Sequence, residues 1–223
     1  CAQSPNTLIL SGGYSLPIGK FASQQFNDPE AGFAGDGYFG QLGYERTLSS
    51  WLGVRLSGSL NVHSTNADPL IEQYSGLLPN PDTYTWQSEV TRWRLGSVLL
   101  GPMAYTNRGK LSLEAHILGG VVFATSPGVQ LFGTSSTGQN AVEGRITAAS
   151  ASAFGLGGGA SVRVRLTERL ALQLTGDWVG SKVKLTDVPT YVKVGNFPPI
   201  ETAVSRERFV GVINVGAGLV VGL

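Results

Sequence analysis

Hydrophobic and polar residues alternate with a period of two along most of this 223-residue chain. The clearest stretch is WLGVRLSGSLNV, 51–62. Leu52, Val54, Leu56, Gly58, Leu60 and Val62 share one face, and Gly53, Arg55, Ser57, Ser59 and Asn61 the other. Successive side chains of a strand point to opposite sides, so this stretch reads as a β-strand with one apolar and one polar face. Seven more stretches repeat the signature: 8–18, 37–47, 92–105, 111–123, 154–166, 169–179 and 209–223. In 92–105 the pattern puts Trp93, Leu95, Leu99, Met103 and Tyr105 on the apolar face and Arg94 on the polar one. Each stretch has the ~9–11 residues a tilted strand needs to cross a bilayer.

The connections alternate in length. Those at 48–51, 106–110 and 167–169 are short, whereas 18–36, 64–90, 134–152 and 184–207 are long and rich in Pro, Gly, Asn, Ser and Thr. Short turns at one end and long loops at the other are the layout of an outer-membrane barrel. The expected fold is therefore all-β: an eight-stranded antiparallel up-and-down transmembrane β-barrel with short periplasmic turns and long extracellular loops. Residues 1–6 form a tail and 7–223 a single barrel domain.

Charge decides which face is inside. The polar faces carry Glu45, Arg55, Arg94, Glu114, His116, Arg163, Arg165 and Asp177 among Gly, Ser, Ala and Thr. That face is too thin in charge to coat a soluble protein. It suits the cramped interior of an eight-stranded barrel, which side chains just fill. Glu45 and Arg55 flank one short turn at nearly equal distance and should be cross-strand neighbours. Glu114, Arg163 and Arg165 lie at a similar height, so the charges are expected to form a paired plug in the periplasmic half. Pairing is what makes buried charge tolerable. Aromatic residues mark the strand ends: Tyr44, Trp51 and Tyr105 beside short turns, and Trp93, Phe123, Phe154, Trp178 and Phe209 near the long loops. Two such belts are the girdles of the two membrane interfaces.

Composition narrows the picture. Charged residues are 14% of the chain, against roughly 25% in soluble domains. Gly is 31 of 223 residues, which disfavours long helices. A formal net charge of +1 gives no reason to expect nucleic acid as a partner. The chain has one cysteine, which excludes a disulfide or multi-cysteine zinc framework. Because Cys1 opens the sequence, it is a candidate for lipidation, the alternative being a remnant of the cleavage region.

The pattern resembles the small outer-membrane barrels of the OmpA-transmembrane-domain and OmpX type, and more closely the outer membrane protein β-barrel domain proteins of Bacteroidetes. GYFGQLGYERTLSSWLGVRLSGSL (37–60) and the closing strand FVGVINVGAGLVVGL (209–223) carry the resemblance. It implies outer-membrane localisation, with the lipid bilayer and lipopolysaccharide as surroundings. In the family the closing strand often ends in Phe, whereas Leu223 ends this sequence.

Candidate chemistry is sparse. Some outer-membrane barrels are lipid-modifying enzymes with a His–Ser–acid arrangement, and His63, Ser64 and Asp68 are the residues here that could form one. His116, in phase with Glu114, reads as part of the plug. GLGGGAS (155–161) has no helix after it, so it serves wall curvature rather than phosphate binding. Neither catalysis nor a cofactor is expected. The loops are unusually apolar: Leu70, Ile71, Tyr74, Leu77, Leu78, Tyr191, Val192, Phe197 and Ile200 could pack as a cap or dock on an outer-membrane partner. The expected function is a non-enzymatic scaffold or subunit of a cell-surface complex. The alternatives are a narrow channel for very small solutes and a lipid-modifying enzyme.

Overall fold

The computed structural model describes residues 5–25, 28, 30–69, 71–72, 84–136 and 141–223. Cys1, Leu70, Tyr74, Leu77 and Leu78 lie outside them. Eight long strands close into a ring: β1 (Asn6–Pro17), β2 (Ala34–Thr47), β3 (Leu52–Thr65), β5 (Trp93–Arg108), β6 (Leu111–Thr125), β9 (Ser150–Arg165), β10 (Leu170–Val194) and β11 (Ile200–Gly222). Every neighbouring pair is antiparallel, and β1 seals the ring against β11 from Thr7↔Gly222 to Pro17↔Val212. Closure leaves no unpaired edge in this wall, which a bilayer demands because it offers backbone groups no water.

The outer wall is apolar all the way round. Leu10, Leu42, Leu60, Ile117, Leu174 and Val215 are exposed, Leu60 and Ile117 at 72%. A soluble monomer rarely exposes more than a few hundred Å² of continuous apolar surface. The fold is an eight-stranded antiparallel barrel of the transmembrane type, with the apolar face of 51–62 turned outward.

Three short strands lie outside the ring: β4 (Tyr84–Val90), β7 (Val129–Ser135) and β8 (Val142–Ile146). They continue a sheet in the order β11–β10–β8–β7–β4. This corrects the expectation of loops at 134–152 and 184–207. Past a bulge between Leu185 and Val188, β10 and β11 run on as a hairpin to Val192↔Ile200. Pro189, Gly195, Pro198 and Pro199 punctuate this stretch like a loop, but its valines fill strand positions. The turn is confined to 195–199, opened by Gly195 at φ 53°.

One strand also differs in facing. Trp93, Leu95, Leu99 and Met103 of β5 point into the lumen and Arg94 points out. The alternate residues of β5 include Val98 and Leu100, so both faces are apolar and periodicity does not choose between them. The pairing does: His63, inward on β3, stands opposite Trp93, and directly paired residues share a face.

Candidate functional site

The lumen is filled by the chain's own side chains. Nearest the short turns is an ion cluster. Arg163 lays a fork on Glu45, with Nη1 donating to Oε2 at 2.7 Å and Nη2 to Oε1 at 2.5 Å; it also bonds Glu114. Arg55 Nη1 donates to Glu114 Oε1 at 2.8 Å and lies 3.5 Å from Glu45 Oε1. Glu45 and Arg55 stand opposite each other in the β2–β3 register. His116 sits between two acids, with Nδ1 3.3 Å from Glu114 and Nε2 3.3 Å from Asp177. Gln173, which sequence reading did not single out, accepts from Arg163 Nε at 3.0 Å. Gly159 makes room here, since a Cβ would come within 2.2 Å of Asp177 Oδ1.

Two predicted members are elsewhere. Arg94 faces outward, beyond reach of the cluster. Arg165 is in the inward phase but one step nearer the opening, where it makes no ion pair with the described residues.

Above the ions, hydroxyls and amides of β1, β2, β3 and β11 form a neutral layer. Ser11 donates to Gln41 at 3.0 Å, and Gln41 to Ser57 at 2.7 Å. Asn61 and Ser15 both donate to Asn214 Oδ1 at 2.6 Å. His63, fully buried, lies 3.1 Å from both Ser15 Oγ and the Gly35 carbonyl. Ser64 points out of the barrel and donates to the Asp36 carbonyl, and Asp68 is exposed, so His63, Ser64 and Asp68 are not assembled. The serine that does reach His63 is Ser15, 48 residues away in sequence, and the ring nitrogen that a triad would turn to an acid meets the Gly35 carbonyl instead.

The end nearest the long connections is closed by hydrocarbon. Leu95, Leu99, Leu118, Val122, Val183, Leu185, Val210 and Val212 form one buried cluster. Phe21, just after β1, packs onto Trp93, ring to ring at 5.2 Å and edge-on. Trp93 Nε1 donates to the Gly32 carbonyl at 2.9 Å. Trp93 is therefore a buried plug residue and not part of a lipid belt. Within residues 18–33, Lys20 Nζ donates to Asp28 Oδ2 at 2.5 Å. That bond, with the Glu30 amide, holds the Asp28 carboxyl below the usual carboxylate range.

Tyr44, Phe123, Phe154 and Trp178 are on the outer wall, Trp51 is exposed in the short turn before β3, and Phe209 lies over the Gly180 and Gly211 backbone. Tyr105, expected in the girdle, is in phase with Met103 and lines the short-turn mouth, its hydroxyl bonded to the Ser49 carbonyl. In the extended sheet Tyr191 is half-buried, whereas Phe197 and Ile200 stand 73% and 65% exposed. Ile71 is half-buried in a short helical turn.

No protein-family model and no curated protein matches the chain. Several solved structures are similar to it. Ail, the attachment invasion locus protein of Yersinia pestis, is 15% identical, with 98% of this chain and 99% of that one aligned and a TM-score of 0.44. Neisserial surface protein A is 9% identical, covering 99% and 98%, at 0.45. The outer membrane protein OprG from Pseudomonas aeruginosa is 12% identical, covering 99% and 98%, at 0.47.

Proposed function

We propose that this chain is a bacterial outer-membrane barrel that works through its extracellular sheet rather than its lumen, as a non-enzymatic scaffold or subunit of a cell-surface complex. The observation that carries the reading is the five-strand sheet standing beyond the bilayer wall, with Phe197 and Ile200 exposed at its hairpin tip. Large apolar side chains held out at the tip of an ordered strand pair are what a partner surface offers. The lumen lends support from the other side, because its ion cluster and hydrocarbon cap leave little cross-section for solute. The surrounding bilayer, lipopolysaccharide included, and an outer-membrane protein partner are the expected neighbours, and the resemblance to Bacteroidetes barrels fits this setting.

The test is purification from native outer membranes in mild detergent, followed by mass spectrometry of the intact assembly. A companion at fixed stoichiometry is expected. It should be lost when Phe197 and Ile200 are both changed to Ser while the barrel still folds. A lone barrel in both preparations would overturn the reading.

A further inference from the structure

We infer that the short-turn mouth of the lumen is an oxyanion site, taking one phosphate or carboxylate group. This inference rests on the outer-membrane reading only for the compartment the mouth faces.

The mouth is a cavity of about 70 Å³. On its inner side, the Arg163 guanidinium is already committed to Glu45, Glu114 and Gln173. Arg165 and Arg169 also line the cavity, and neither forms an ion pair among the described residues. The one other acid in the lining is Glu168, likewise without an ion pair, so two unmatched guanidinium charges face one carboxylate. The hydroxyls of Thr7, Thr47 and Ser112 complete the wall.

The lower lumen is rich in donors as well. Deeper than the cavity lining, Arg55 Nε, Arg55 Nη2 and Gln173 Nε2 are buried with no acceptor among the described residues. Guanidinium groups only donate, in a planar fork that matches the two oxygens of a carboxylate or phosphate. Two guanidiniums without ion-pair partners, beside three hydroxyls and an open side, are chemically complementary to such a group. Partial burial strengthens the attraction relative to water.

The experiment uses the full chain refolded in neutral detergent, with inorganic phosphate titrated at constant ionic strength against a chloride reference. The readout is the NMR signals of the arginine Nε–H groups. A saturable shift of the Arg165 signal is expected with phosphate and not with chloride. Arg165→Gln should weaken phosphate binding about tenfold, as expected for loss of one charge-assisted contact. Arg145→Gln, in β8 beyond the opposite end of the barrel, should leave binding unchanged. Arg165 is partly exposed and unpaired, so its removal leaves the fold intact; unaltered heat-dependent mobility on a gel checks this. A second arm adds short-chain phosphatidylglycerol to the same micelles: competition with phosphate assigns the site to a lipid headgroup, and its absence to a free oxyanion. Equal phosphate affinity in wild type and Arg165→Gln, or a response that never saturates, would overturn the proposal.

Discussion

Glu45 and Leu99 are both almost fully covered inside the barrel, yet different physics holds them there. Glu45 belongs to the half near the short turns, where three carboxylates, two guanidiniums and an imidazole hold one another through 2.5–3.5 Å contacts. Leu99 belongs to the other half, where aliphatic side chains of four strands and one aromatic plug exclude water by packing. An ion cluster tolerates little change, because removing one partner strands the rest in a low-dielectric interior. A hydrocarbon cap degrades by degrees, since neighbours can partly collapse into a gap. The barrel is thus brittle at one end and forgiving at the other, and its forgiving end lies beneath the connections that the proposed function uses.

Substitutions at the two ends should separate these behaviours. The largest effect is expected from Arg55→Met, which leaves Glu45 and Glu114 short of a counter-charge. Unfolding in urea from lipid vesicles should show a loss of about 3–5 kcal/mol. Next is Leu99→Ala in the cap, for which the same assay should give about 2–3 kcal/mol, the cost of lost contacts plus a partly collapsed cavity. Arg94→Ala sharpens the contrast from the lipid side. Arg94 faces out at the rim, so its removal should change stability by no more than about 0.5 kcal/mol. A loss as large as that of Arg55→Met would return it to the lumen.

The smallest effect concerns the 18–33 connection. Its Lys20–Asp28 tie includes a carboxyl held below its ordinary range. A depressed carboxyl stabilises above its unfolded value and loses that contribution as pH falls through the folded one. Protection of the Gly32 and Phe33 amides, measured against their intrinsic exchange rates, should therefore hold at neutral pH and fall only in acid below the normal carboxylate range.

The same contrast explains what was legible in the sequence. The ion cluster could be read because charge breaks the apolar alternation: Glu45 and Arg55 flank a four-residue turn, and parity puts Glu114 and His116 on the same side. The cap could not. Its residues Leu118, Val122, Val210 and Val212 sit between outward apolar neighbours such as Ile117, Val121 and Ile213, so both faces look alike and period two vanishes. For the same reason alternation in β5 does not reveal that Trp93 faces in and Arg94 out. The Ser15–Asn214 bond joins residues 199 positions apart and depends on ring closure, which no local pattern encodes. The long hairpin of β10 and β11 was hidden by prolines, which mark a loop in a ladder interior but are accommodated where the pairing is short and exposed.

The most direct test of a filled lumen is conductance in planar bilayers. Side chains that occupy the cross-section, with ions at one end and Phe21 on Trp93 at the other, predict no discrete current steps from the reconstituted wild-type chain. Steady unitary steps that persist with pure, fully folded protein would contradict it.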